Sequence, residues 1–369
     1  MADLLSPRIN SRDYEHILSA GLPLLDVRAP VEFAGGAFAQ SVNLPLMQDD
    51  ERAAVGTCYK RAGQQAAIEL GHSLVKDDIR SVRIAEWKQW CAAHPDGYLC
   101  CARGGLRSHI VQQWLHDAGI DFPLVEGGYR ALRQHALSRM TTLSALPLII
   151  IGGNTGCGKT DLIRTLNNGI DLEGIARHRG SSFGRTLQQQ PSQASFEHLL
   201  ATTLMRRQRK DAGFHWVLED EGAMIGSRHI PDCLRERMAQ SPVVVIDDPF
   251  ELRLERLKHD YFEQMLADFM SYEASPDSAW AAFGDYLQHG LFAIRRRLGS
   301  ERFISLSSAL TTSLERHRNA NDAEAHFAWL VPLLKEYYDP MYRYQLDKKR
   351  ERIVFSGDYR QVSEWLAEA

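Results

Sequence analysis

Leu148-Ile149-Ile150-Ile151-Gly152-Gly153-Asn154-Thr155-Gly156-Cys157-Gly158-Lys159-Thr160 is the stretch that decides the fold of the larger part of this chain. The apolar run 148–151 reads as a buried strand, and residues 153–160 satisfy G-x-x-x-x-G-K-[ST] at every position. A helical pattern follows, so the loop sits between strand and helix, the context in which such a loop wraps phosphate. Gly153, Gly156 and Gly158 let backbone amides surround a di- or triphosphate, and Lys159 neutralises its charge. Thr160 is a candidate Mg²⁺ ligand. The pattern leaves the ligand open: a nucleotide is the default, and any diphosphate satisfies the same physics.

Downstream, residues 215–219, 243–247 and 302–306 are expected to be further strands, and 251–270 a long helix. The first of these strands runs into Glu219-Asp220-Glu221, where Asp220 is the candidate second ligand for Mg²⁺. The tail after Tyr337, rich in tyrosine and charge, is expected to wrap this domain.

Upstream, short apolar runs at 22–27, 41–46 and 97–101 alternate with helical patterns such as 79–93 and 108–118. That alternation predicts a mostly parallel sheet with helices on both faces. The polar stretch 138–147, ending at Pro147, reads as a linker. The boundaries that follow are 1–138 for the first α/β domain and 139–369 for the phosphate-loop domain with helical insertions and a C-terminal extension.

The run Cys101-Ala102-Arg103-Gly104-Gly105-Leu106-Arg107 follows the third apolar run and precedes a helix. A strand-to-helix turn with two glycines can aim successive amides at the sulfur, and Arg103 and Arg107 add positive field. Cys101 is therefore the candidate nucleophile, with Arg107 as its charge partner, able to carry a terminal chalcogen anion. Cys100 points to the other side of the strand and reads as structural. Phosphate-ester hydrolysis and sulfur-group transfer both use such a turn.

Composition bounds the rest. The 369 residues suggest two or three domains, and 44% hydrophobic with 24% charged residues is ordinary for a globular protein. The formal charge is −4, shared as −1 over residues 1–140 and −3 over the remainder, so neither half is a basic domain. A nucleic-acid partner would have to be held by local patches. Candidates are Arg206-Arg207-Gln208-Arg209-Lys210, Arg295-Arg296-Arg297 and Lys348-Lys349-Arg350-Glu351-Arg352. The longest apolar run, 145–151, is too short to cross a membrane. The start shows no secretory signal, and six cysteines without a CxxC pair fit a reducing cytoplasm better than a disulfide scaffold.

Asp26-Val27-Arg28-Ala29-Pro30-Val31-Glu32-Phe33, then Gly36-Ala37-Phe38, Ser41-Val42-Asn43-Leu44-Pro45 and the later Glu126-Gly127-Gly128-Tyr129, resembles the rhodanese signature over roughly residues 12–136. A rhodanese-like domain followed by a P-loop NTPase-like α/β domain is an unusual pairing. Further segments sharpen it: Tyr59-Lys60 through Gly63 and Ala66 to Gly71-His72, the stretch 171–184, the stretch 219–226, and Tyr338-Asp339-Pro340-Met341-Tyr342. Together they look like the bacterial tRNA 2-selenouridine synthases, over nearly the whole chain.

The resemblance implies a transferase that replaces the sulfur of wobble 2-thiouridine in tRNA with selenium. Geranyl diphosphate first alkylates the sulfur to S-geranyl-2-thiouridine, a tRNA S-geranyltransferase step. Selenium from selenophosphate then displaces geranylthiol, and the turn at Cys101 suits a Cys-S-Se⁻ intermediate. No tightly bound cofactor is expected, with Mg²⁺ possible. The implied partners are thiolated tRNA and the enzyme that supplies selenophosphate. His178, Arg179 and Arg185 become a candidate substrate loop. The competing readings are an ATP-dependent kinase or ATPase carrying a rhodanese-like domain, a tRNA sulfurtransferase, and a non-catalytic binding module.

Overall fold

A computed structural model describes residues 8–208 and 213–368. The chain divides into two compact units, Met1–Leu143 with Ser192–Gln208, and Ser144–Pro191 with Arg209–Ala369. The first unit thus takes back one segment from beyond the phosphate loop, the helix Gln193–Arg207.

In the first unit, β1 (Leu24–Asp26) lies between β2 (Ser41–Asn43) and β3 (Tyr98–Cys100), parallel to both. Parallel single-residue bridges, Leu99 to Leu124 and Ser11 to Val125, extend the sheet beyond β3. Its core packs Leu25, Val27, Trp87, Trp90, Leu99 and Leu115. Buried Arg28 pairs with Asp26 at 2.7 Å, donates to the Gly36 carbonyl at 2.8 Å and lies 3.7 Å over the Tyr129 ring. One arginine thereby ties the strand end to the following loop. A charge so deep is tolerable only because its hydrogen-bonding groups are used.

The second unit has five parallel strands in the order β10-β9-β4-β6-β5: β4 (Leu148–Gly153), β5 (Gly169–Ile170), β6 (Trp216–Glu219), β9 (Val243–Ile246) and β10 (Ile353–Gly357). A small antiparallel hairpin joins β7 (Met224–Ile225) to β8 (Arg228–His229). All six residues of β4 are buried, as expected of a central parallel strand. The C-terminal tail does more than wrap the unit, because β10 pairs with β9 as an edge strand. Between β9 and β10 stands a helical layer around Phe262, Phe283, Leu287, Leu310 and Trp329.

Two expectations fail. The stretch 138–147 is no linker over most of its length, because the helix Gly128–Ser144 runs through it. Leu132, Ala136, Met140 and Leu143 are all buried, and that spacing makes one helical stripe. Residues 302–306 are not a strand but part of the helix Ser300–Ala320. The short run with apolar Phe303, Ile304 and Leu306 is outweighed by the longer helical period of buried Leu306, Leu310, Ser313 and His317.

A helix and a strand place Ile304 differently, which stability can read. Ile304 is 66% exposed and Leu310 fully buried. Ile304→Asp should change unfolding free energy by less than about 0.5 kcal/mol. Leu310→Ala should cost roughly 2–5 kcal/mol in denaturant titration. A comparable loss at Ile304 would favour the strand.

Candidate active site

In the first unit the turn after β3 carries Cys101, and the helix Leu106–Asp117 begins five residues later. Gly104 makes the turn possible. Its φ is 59°, and a Cβ would stand 2.5 Å from the Gly127 amide. The Cys101 side chain is buried, with Sγ 3.2 Å from the Ser108 hydroxyl at the start of the helix. Arg107 makes a two-pronged ion pair with Glu32, at 2.6 and 3.2 Å. Burial works against the Arg107 charge, but the bond to Glu32 overrides it and holds the guanidinium protonated. Burial would likewise raise Glu32, yet Arg107 keeps it below the usual carboxylate range. Arg52 approaches the same carboxylate at 3.3 Å. The cation beside Cys101 is thus positioned by an acid from the helix Pro30–Ala34. Cys100 lies on the other face, where burial and the charge of Asp26 push its thiol well up.

In the second unit the phosphate loop joins β4 to the helix Lys159–Thr165. Gly158 caps that helix at φ 84°, where a side chain would be strained. Lys159 Nζ donates to the carbonyls of Gly153 and Asn154 at 3.0 and 3.3 Å. Burial would lower this lysine, but Cys157, Tyr342, Glu173 and Glu221 around it raise it, so it stays charged. Two arginines brace the loop from behind. Arg253 donates to the Thr155 carbonyl at 2.9 Å and pairs with Asp339 at 2.5 Å. Arg256 donates to the Gly156 carbonyl at 3.2 Å and pairs with Asp248 at 2.5 Å. The C=O and N–H of a trans peptide point opposite ways, so the pinned Thr155 carbonyl leaves the Gly156 amide for an anion, while the Cys157 amide donates to the Asn154 carbonyl at 3.2 Å.

The acids around the loop are arranged differently from the sequence reading. Thr160 donates its hydroxyl to Glu173 at 3.1 Å. Asp220 is engaged by Lys349 in an ion pair. The carboxylate touching Thr160 is therefore Glu173. Among the described residues, no group of three or more His, Cys, Asp or Glu side chains stands ready to hold a metal. Loop, Glu173, Tyr342 and Tyr261 line an open cleft of about 770 Å³. His178 and Arg179 also line it; Arg179 lies 5.0 Å over the Tyr261 ring, and His178 Nδ1 is buried without a partner. Arg185 bridges backbone to backbone with His178 and is not part of the lining.

Comparison with known proteins identifies the chain. Residues 146–369 match the family model described as the tRNA 2-selenouridine synthase AAA domain. The tRNA 2-selenouridine synthases of Salmonella dublin and Salmonella typhimurium strain LT2 are each 56% identical over 362 residues, 98% of this chain and 99% of theirs. That of Salmonella paratyphi A is 56% identical over 99% of this chain and all of its own. This chain belongs to the tRNA 2-selenouridine synthase family.

Several residues of this family member stand at the sites without having been singled out from sequence. Nothing local in the sequence says that Glu32 and Asp339 pair with Arg107 and Arg253. Glu173 lies in the stretch 171–184, beside the more conspicuous basic residues His178 and Arg179. Of the cationic patches, Lys349 holds Asp220 and Arg352 donates to the Met238 and Ser241 carbonyls, so both brace the fold. Arg296 remains exposed. Arg209 and Lys210 of the first patch lie outside the described residues.

The acids at the phosphate loop predict a pH signature. Burial, then the charge of Glu173, push Glu221 up to about 8. The fold accommodates its neutral form, so its contribution is present below the ordinary carboxyl range and lost as pH rises through about 8. Between about pH 5 and 9, the melting temperature of Glu221→Gln should fall less than that of the unsubstituted protein. Equal falls would contradict this environment.

Proposed function

We propose that this protein replaces the sulfur of wobble 2-thiouridine in tRNA with selenium, through S-geranyl-2-thiouridine. The observation that carries the reading is a thiol turn and an intact phosphate loop, on separate units, in a chain that matches the family over nearly its full length.

In the first step the thiocarbonyl sulfur attacks C1 of geranyl diphosphate. The C1–O bond breaks, the S–C1 bond forms, pyrophosphate departs and the base loses its N3 proton. Gly153, Gly156 and Gly158 bind the diphosphate through loop amides. Lys159 stabilises charge that grows as pyrophosphate leaves, the kind of interaction that lowers a barrier. A Mg²⁺ ion accompanying the diphosphate would be held by Thr160 and a carboxylate, and Glu173 already touches that hydroxyl. His178 and Arg179 face the same cleft as substrate contacts.

In the second step selenium takes the place of the alkylated sulfur at C2. Geranylthiol leaves with a proton, N3 regains its own, and water converts the selenophosphate residue to phosphate. Alkylation has turned a poor leaving group into a good one. Cys101 is the nucleophile of this step: its thiolate displaces geranylthiolate at C2, and the selenium of selenophosphate then displaces the Cys101 sulfur, so no oxidant or reductant is needed. Arg107, oriented by Glu32, supplies the local positive field. The parallel strand order of the first unit and the buried Asp26–Arg28 pair support its rhodanese-like assignment. A flipped anticodon base is a suitable substrate for either site. Selenophosphate must come from a supplying enzyme, and the work belongs in the cytoplasm, where tRNA is modified. No helix among the described residues is long and apolar enough to cross a membrane.

The two steps should fail separately. Cys101→Ser should abolish 2-selenouridine and accumulate S-geranyl-2-thiouridine, while Cys100→Ser largely spares selenation. Lys159→Ala should block geranylation yet selenate tRNA supplied already geranylated. Nucleoside mass analysis reads each outcome. Normal geranylation by Lys159→Ala, or a requirement for ATP turnover, would favour the kinase-like reading.

Binding to tRNA should weaken with salt, since each phosphate contact releases counterions. Arg296→Glu, on an exposed side chain, should lower affinity in filter binding without altering the melting temperature. Salt-independent affinity, or no loss in this variant, would count against a local cationic contact.

A further inference from the structure

A cleft in the first unit opens beside the cysteine turn, and apart from Glu32 and Arg107 its lining has no part in the two steps as described. The helices Asp49–Leu74 and Leu106–Asp117 wall it, and its volume is about 730 Å³. That lies in the range of roughly 300–1,000 Å³ that small-molecule sites occupy. Its wall is mainly apolar, with Leu46, Met47, Val55, Ile68, Ile110 and Trp114. Three residues of the cysteine turn, Arg103, Leu106 and Arg107, also line it. Cys101 packs in the same buried cluster as Leu46, Met47, Val75 and Trp114, all of them cleft residues.

The sequence supplies an independent pointer. Tyr59, Lys60, Gly71 and His72, from the segment that helped mark the family resemblance, all face this cleft. Neither the thiol turn nor the phosphate loop gives that segment a task. The helix that carries it is broken at Gly63, whose φ of 88° and ψ of −177° are not helical. The break bends a 26-residue helix beside the cysteine turn.

We propose that this cleft holds the isoprenoid chain of the S-alkylated wobble nucleoside while selenium displaces it. The inference rests on the two-step reading above and names the part of the substrate that the second site recognises. Selenation must bring C2 of the base to the cysteine turn with a ten-carbon chain attached to the neighbouring sulfur. A chain at that point needs apolar cover, and an apolar cleft opens there. Arg52, Lys60, Arg103 and Arg107 in the same lining suit the anionic selenium donor and the tRNA backbone. On this assignment the cleft favours alkylated over unalkylated tRNA at the second step, because only the alkylated nucleoside fills it.

The test uses the full-length protein, selenophosphate, and three tRNAs whose wobble 2-thiouridine carries an S-methyl, S-geranyl or S-farnesyl group. The quantity measured is kcat/KM for 2-selenouridine formation, by nucleoside mass analysis. The unsubstituted protein should prefer the geranyl over the methyl substrate by about tenfold or more, the scale on which apolar pockets discriminate alkyl groups. Ile68→Trp, which fills the cleft, should reduce that preference severalfold. Ile68→Ala, which enlarges it, should shift preference toward the farnesyl substrate. A general folding defect would lower all three rates together and could not move selectivity in opposite directions. If the unsubstituted protein selenates the geranylated tRNA without chain preference, or if neither substitution shifts the ratios, the cleft assignment is overturned and the two-step reading stands. If it selenates none of the three, the two-step reading falls, and the cleft assignment with it.

Discussion

A buried parallel strand that ends on a glycine turn must find partners for the backbone groups it stops using. In both units that constraint creates the site. After β3 and after β4 the chain turns through glycines with positive φ and enters a helix, leaving amide groups at the helix start. Such amides favour an anion. One turn offers a thiol and the other a phosphate cradle, on the same strand–turn–helix geometry.

The arginines around the turns follow one rule. Arg107 is paired with Glu32, Arg253 with Asp339 and Arg256 with Asp248. A half-buried guanidinium with a carboxylate partner costs less desolvation than a lone one, and its planar fork is locked in place. The carboxylates therefore hold the cations where they brace carbonyls or face a reacting group. Lys159 differs: it donates to two loop carbonyls and to the Cys157 sulfur. Its nearby acids act on it through charge and keep it protonated.

What the sequence disclosed, and what it concealed, divides along the range of the interactions. The turns at residues 153–160 and Cys101–Arg107 were legible because each motif is local: the glycines and the cysteine or lysine beside them are close in sequence. The strands at 215–219 and 243–247 were legible from apolar runs. Residues 302–306 misled because a five-residue stretch with three apolar residues is ambiguous until the buried stripe continuing to His317 is counted. Met140 and Leu143 looked like part of a polar linker because their buried partners Leu132 and Ala136 lie upstream of the stretch read. The Arg107–Glu32 pair spans 75 residues and the Lys349–Asp220 pair 129, and neither has a local signature. The return of Ser192–Gln208 to the first unit is likewise a property of packing.

On the proposed route, two chemically different steps belong to two sites, joined by an alkylated tRNA that can pass between them. The most direct measurement mixes Cys101→Ser with Lys159→Ala protein and supplies thiolated tRNA, geranyl diphosphate and selenophosphate. Each protein alone should yield no 2-selenouridine, and the mixture should yield it, because one alkylates and the other selenates. A mixture no more productive than either protein alone would contradict the division of labour.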